Sequence, residues 1–167
     1  KGELSLKEEL DFEGGYDCAK RHVVRIVAAD KGSTSRKATV DAVIKVTDVN
    51  DIAPVWDTKG TYTGTVGETR PKQKYSITAP AASDPEEGNF GVVAYRLISI
   101  NGDAKSEDFS FDTDTRRLRN EITFDRAVTD TYSIVIAAFD GGDPSLATKA
   151  TMTITITKSS NAEDPTF

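Results

Sequence analysis

The stretch Val46-Thr-Asp-Val-Asn-Asp-Ile-Ala-Pro-Val-Trp56 decides how this chain is read. Asp48, Asn50 and Asp51 fall within four residues, and Pro54 follows closely. Asp and Asn side chains compete for the backbone, and proline lacks a donor, so the segment is a poor strand and a poor helix. It crowds oxygen donors onto a short irregular piece of chain, which suits a hard cation. Apolar-alternating sequence lies on both sides of it. The stretch is therefore expected to join two β-domains and to bind calcium where they meet.

Composition sets the limits of that reading. The chain has 167 residues and a formal charge of −6, enough for one domain or one and a half small ones. An acidic balance disfavours a nucleic-acid partner and suits bound cations. No apolar run approaches the roughly 18 residues that a bilayer span needs, and no signal peptide is evident. The expectation is a soluble piece of something longer, with any membrane attachment through a segment outside this chain. The single cysteine, Cys18 in Gly14-Gly-Tyr-Asp-Cys18, excludes an internal disulfide. It is either a free thiol or the partner of a cysteine outside the chain.

Strand periodicity runs through the sequence. Gly2 to Leu10 reads as a short extended segment. His22, Val24, Ile26 and Ala28 alternate with their neighbours, and so do Val40, Ala42, Ile44 and Val46. Beyond Pro54, Gly60 to Gly67 is β-rich. Strand-like runs follow at Lys74 to Thr78, Val92 to Ile100, Phe109 to Phe111, Leu118 to Phe124, Tyr132 to Ala138 and Ala150 to Ile156. Asp84-Pro-Glu-Glu-Gly-Asn and Asn101-Gly102 are turn signals. With no capped helical window and a turn every ten residues or so, the pattern is that of an all-β sandwich.

The chain also repeats itself. His22-Val-Val-Arg-Ile-Val-Ala-Ala-Asp30 aligns with Tyr132-Ser-Ile-Val-Ile-Ala-Ala-Phe-Asp140, in strand phase. Val40, Ala42, Ile44 and Val46 fall on Ala150, Met152, Ile154 and Ile156, and Leu10-Asp-Phe-Glu13 on Phe124-Asp-Arg-Ala127. An offset of about 110 residues is one sandwich module. Residues 1–52 are then the C-terminal half of one module with its linker. Residues 53–163 are a complete module, and 164–167 begin the next linker or repeat. Half a module exposes an apolar face and needs a complement from outside the chain or from a neighbour.

Five of these motifs, in order, resemble tandem extracellular cadherin repeats, as in a long non-classical cadherin or a protocadherin. Leu10-Asp-Phe-Glu13 resembles L-D-R-E, Ala28-Ala-Asp-Lys-Gly32 and Ala138-Phe-Asp-Gly-Gly142 resemble A-x-D-x-G, and Asp48 to Pro54 resembles D-x-N-D-N-A-P. Ala82 to Tyr95 is similar to A-x-D-P-D-x-G-x-N-G-x-V-x-Y. The resemblance implies Greek-key, seven-stranded β-sandwich repeats, the first only partly present. It also implies a group of calcium ions at each junction. At the junction near residue 50 the implied ligands are Asp11, Glu13, Asp48, Asn50, Asp51, Asp84, Glu86 and Asp140. Carbonyls of Val49, Ile52 and Phe90 add to them. Ile52 replaces an asparagine that contributes only its carbonyl. Glu86 replaces an aspartate, shifting a ligand by one methylene without abolishing the site. The family's glutamate near the start of a repeat has no counterpart in the first module.

At the second module's far end Glu68 and Asp125 remain, but Ala127 stands where the glutamate belongs. The following stretch Thr157-Lys-Ser-Ser-Asn-Ala-Glu-Asp-Pro165 lacks the aspartates. In strand phase Lys158 takes the place of Asp48, and Asn161 that of Asp51; aligned on the proline, those places are Ser159 and Ala162. Weak or no calcium is expected there. Asp30 is expected to be a turn residue. His22, which takes the place of Tyr132, is expected to pack, as are Trp56 and Phe167.

The function expected is an extracellular, cell-surface module for calcium-dependent adhesion or mechanical tethering, with other cadherin ectodomains as homophilic or heterophilic partners. The alternative is a ligand- or receptor-binding ectodomain stalk on the same fold. An enzyme has little support, with one histidine and no nucleophile motif.

Overall fold

The computed structural model describes residues 3–14, 20–68 and 73–158. Cys18, Ser159, Asn161, Ala162, Glu163, Asp164, Pro165 and Phe167 lie outside them. The chain forms two compact units, Lys1–Val49 and Asn50–Phe167. Every described element is a strand.

The first unit is built on one antiparallel hairpin, β1 (Arg21–Ala29) with β2 (Lys37–Lys45). His22 pairs with Ile44, Val24 with Ala42 and Ile26 with Val40, so the alternating apolar positions share one face. Arg25 and Asp41 pair on the other face, with Nε to Oδ1 at 2.8 Å. Residues 3–10 carry no strand. Leu4 is 57% and Leu6 65% exposed. A strand needs a hydrogen-bonding edge, and the described pairings place none beside that segment.

The second unit contains β3 (Val55–Trp56), β4 (Thr61–Gly67), β5 (Ser76–Thr78), β6 (Ala82–Ser83) and β7 (Ala94–Ile100). β8 (Phe109–Asp112), β9 (Arg117–Asn120), β10 (Thr131–Phe139) and β11 (Ala147–Thr157) follow. One sheet has the order β4-β11-β10-β7, with β4 parallel to β11 and the other pairs antiparallel. The second has the order β5-β9-β8, and β3 with β6 forms a two-residue pair. Four and three strands make the seven of the Greek-key sandwich that the cadherin resemblance implies.

The two sheets close on one core. Tyr132, Ile134, Ile136 and Ala138 of β10 and Ala150, Met152, Ile154 and Ile156 of β11 meet Phe109 and Leu118 from the three-stranded sheet. Phe109, Phe124 and Tyr132 form an aromatic triangle with ring centroids 5.2–5.6 Å apart. Trp56 is buried against Tyr95 at 5.8 Å. Asn120 is buried too. Its Oδ1 accepts from Tyr75 N–H at 2.6 Å, and its Nδ2 donates to the carbonyls of Gln73 and Ile122. A buried amide is tolerable because each of its polar atoms is paired.

The sequence repeat is visible in backbone geometry. His22 opposite Ile44 is matched by Tyr132 opposite Ile154. After β1, Asp30 Oδ1 accepts from the N–H groups of Gly32 and Arg36, and Ser35 Oγ donates to the Asp30 carbonyl. After β10, Asp140, Gly142, Ser145 and Leu146 make the same bonds. The two hairpins differ in cover. Ile136 is fully buried while Ile26 is 45% exposed, and Ala150 is buried while Val40 is 62% exposed.

That contrast yields a prediction. Ile136→Ala is expected to cost about 2–5 kcal/mol, as large-to-small changes in a closed core do. Ile26→Ala, at the matching place, is expected to cost less than about 1 kcal/mol. Chemical denaturation followed by circular dichroism measures both, and equal costs would mean that the hairpin face is covered.

Candidate metal centre

Three loops of the second unit bring oxygen atoms together. The first is the entering segment, Asn50 to Ala53. Pro54 is buried, and its carbonyl accepts from Thr148 Oγ1 at 2.5 Å, which ties the segment to β11. The second is Asp84 to Gly91, between β6 and β7. Tyr95 steadies its start, because the phenol accepts from Ala82 N–H at 2.9 Å and donates to the Ala82 carbonyl at 3.1 Å. The third is the β10–β11 loop, residues 140–146.

Asp140 organises its own loop. Its Oδ1 accepts from Gly142 N–H and Leu146 N–H, each at 3.0 Å, and its Oδ2 from Leu146 N–H at 3.1 Å. Burial pushes the Asp140 carboxyl up. Hydrogen bonds from Gly142, Asn50, Leu146 and Ser145 outweigh that and hold it below the usual carboxylate value. Asp84 Oδ1 accepts from Glu86 N–H at 3.0 Å and so forms the turn that aims Glu86 inward. Glu86 is 6% exposed, and its Oε1 accepts from Asp51 N–H at 2.7 Å and Ile52 N–H at 3.2 Å. Asn50 Nδ2 donates to the Pro144 carbonyl at 3.2 Å.

Carboxylate oxygens of Asp84, Glu86 and Asp140 lie within 4.8 Å of one another. Asp84 Oδ2, Glu86 Oε2 and Asn50 Oδ1 are buried and accept no hydrogen bond from the protein. Buried acceptors left unpaired, two of them on acidic side chains, are costly unless something positive satisfies them. The donor set is all oxygen, as calcium prefers and zinc does not. The residues therefore fit a hard cation.

The other implied ligands fall as follows. Asp51 is exposed and Ile52 half-buried beside Glu86, and Phe90 is half-buried in the loop before β7. Asp11, Glu13, Asp48 and Val49 belong to the first unit. There Asp11 Oδ1 accepts from the N–H groups of Glu13 and Gly14, both at 3.1 Å, and Val49 is 65% exposed. Glu68 and Asp125 stand together at the other end of the second unit. Glu68 Oε1 accepts from Arg126 N–H at 3.2 Å, and Asp125 Oδ1 from Ala127 N–H at 2.8 Å.

Two features escape the sequence reading. One is the reach of Glu86 to the entering backbone, which the extra methylene over aspartate makes available. The other is how tightly the loops approach. A Cβ at Gly142 would lie 2.3 Å from Asn50 Nδ2, and one at Gly91 would lie 2.1 Å from the Glu86 carbonyl oxygen. Ser145 was legible in principle, because Ser35 stands at the same offset from Asp30.

Comparison with known proteins bears on the fold and the family. A family model described as the cadherin domain matches residues 62–157. The chain is 33% identical over 166 residues to human (Homo sapiens) Protocadherin-16, covering 99% of this chain and 5% of that protein. It is 30% identical over 159 residues to the Drosophila melanogaster Protocadherin-like wing polarity protein stan, covering 94% of this chain and 4% of that protein. Among solved structures, Protocadherin Gamma B2 extracellular cadherin domains 3-6 superpose with TM-score 0.73 at 29% identity, covering 89% of this chain and 35% of that one. Domains 1-5 of the same protein give TM-score 0.75 at 28% identity, covering 91% and 28%. The chain thus spans a small part of the curated relatives it matches.

The close approaches make a prediction independent of any metal. Gly142→Ala should displace Asn50, and Gly91→Ala the Glu86 carbonyl, each costing the second unit about 1–3 kcal/mol. Thermal unfolding followed by Trp56 fluorescence reads this, and an unchanged midpoint would show that the loops yield to a methyl group without cost.

Proposed function

Because the chain belongs to the cadherin family, we propose that it is an extracellular module of a cell-surface protein that serves calcium-dependent adhesion or mechanical tethering. The observation that carries this is the convergence of Asp84, Glu86 and Asp140, with unpaired buried oxygens on Asp84, Glu86 and Asn50. Calcium takes six to eight oxygens at about 2.3–2.6 Å. Asp84, Glu86 and Asp140 supply carboxylates, and Asn50, Asp51, Ile52 and Phe90 are the further donors within the second unit. Asp11, Glu13, Asp48 and Val49 are carried into the ligand set by the family motifs rather than by geometry.

The mechanical role follows from which residues are tied. Glu86 already holds the backbone of Asp51 and Ile52, and Asn50 is held by Pro144. A divalent cation would neutralise the acids and bond the entering segment to both acidic loops at once. The segment then cannot swing without breaking several coordination bonds. Calcium stiffens the linker and performs no chemistry, and no catalytic role is assigned to any residue. The partners in this reading are other cadherin ectodomains, homophilic or heterophilic.

A second reading is a ligand- or receptor-binding stalk on the same fold. It is favoured by the small fraction of its relatives that the chain spans, since adhesive contacts can lie on other modules. Sedimentation in calcium distinguishes the two. Self-association supports adhesion through this module, and a monomer that binds only a foreign protein supports the stalk.

The calcium claim is tested by calorimetric titration. Binding is expected, and at calcium 100-fold above its Kd it should stabilise the second unit by about 2.7 kcal/mol. Glu86→Gln and Asp51→Ala should weaken binding at least about tenfold, a loss of about 1.4 kcal/mol. Unchanged affinity in both would remove the claim.

A further inference from the structure

The opposite pole of the second unit does not repeat the chemistry of the Asp84–Glu86–Asp140 centre. There β4 and β11 end side by side, with Glu68 N–H donating to the Thr157 carbonyl at 2.9 Å. The loop after Phe124 closes on Asp125, whose carbonyl accepts from Val128 and Thr129 N–H and whose Oδ1 accepts from Ala127 N–H. Glu68, Arg126, Ala127, Asp130 and Lys158 line a surface pocket of about 270 Å³. By the internal repeat, Ala127 stands where the first unit has Glu13, and Lys158 where it has Asp48. Two carboxylate positions have become a methyl group and an ammonium.

We propose that this pole carries its counter-charge in the chain itself, as Arg126 and Lys158, and takes no calcium under conditions that fill the Asp84–Glu86–Asp140 centre. This rests on the calcium reading of that centre for its contrast, but the two claims involve different residues. Arg126 and Lys158 share the pocket lining with Glu68 and Asp130, and cationic side chains there weaken the pull on a divalent ion. An ammonium or guanidinium offers donors only and cannot enter a coordination shell. Two of the acids at this pole also have structural work. Glu68 accepts from Arg126 N–H and so ties the end of β4 to the 125–126 turn, and Asp125 forms that turn. Asp125 forms its turn as Asp84 and Asp140 form theirs, so what sets this pole apart is Ala127 and Lys158 in the places of Glu13 and Asp48. The two ends of one module consequently differ, one answering to calcium and the other indifferent to it.

The test is calcium titration by calorimetry on the 167-residue chain and its variants, with circular dichroism confirming the fold of each. Glu68→Gln and Asp125→Asn should bind calcium with unaltered stoichiometry and affinity, whereas Asp84→Asn should lose binding. Loss of a calcium equivalent in folded Glu68→Gln or Asp125→Asn overturns the inference. The paired variant Ala127→Glu/Lys158→Asp should gain at least one equivalent at about millimolar calcium. No gain would overturn the roles given to those two positions. If the unaltered chain binds no calcium, the proposed function fails, and a gain in the paired variant still supports this inference.

Discussion

Like charge held close together is the constraint around which the second unit is arranged. Three carboxylates with oxygens within 4.8 Å, two of them on nearly buried residues, repel one another by on the order of 3 kcal/mol per pair at an effective dielectric of about 20. A fold keeps such a cluster only if rigid surroundings hold it and something offsets it. Part of the offset is visible as backbone N–H groups turned onto Asp84, Glu86 and Asp140. The buried unpaired oxygens of Asp84, Glu86 and Asn50 add to that repulsion, and the divalent cation proposed above would offset it.

The rigidity comes from packing that has no tolerance. Gly91 and Gly141 sit against the backbone carbonyls of Glu86 and Asn89, where any Cβ would overlap. Tyr95 bonds both the N–H and the carbonyl of Ala82 and packs against Trp56, so the start of the acidic loop is tied to the core. Thr148 holds Pro54, and the entering segment is thereby fastened to β11 as well as to Glu86. Acidic groups that would otherwise drive the loops apart are held by a sandwich core closed on both sides.

Much of this is legible in the sequence. Period-two alternation placed β10 and β11 in phase with β1 and β2, and the pairing of Tyr132 with Ile154 and of His22 with Ile44 follows that phase. Gathering Asp84, Glu86 and Asp140 came from family motifs, since no spacing rule links residues more than fifty apart. What stayed hidden depends on contacts between distant loops, namely the grip of Glu86 on Asp51 and Ile52, the Asn50 bond to Pro144 and the two-residue pairing of β3 with β6. Gly2 to Leu10 reads as an extended segment, and in the structure its described part carries no strand, with Leu4 and Leu6 exposed. At the other pole only the Asp-Arg centre of the L-D-R-E motif remains, and Asp125 Oδ1 accepts from Ala127 N–H to form its turn.

The central claim is that the Asp84–Glu86–Asp140 centre holds calcium, and crystallography with anomalous scattering tests it most directly. Crystals grown in calcium should show a strong anomalous peak about 2.3–2.6 Å from carboxylate oxygens of all three residues. A centre that shows only water in saturating calcium, with the three side chains placed as they are here, would contradict the account.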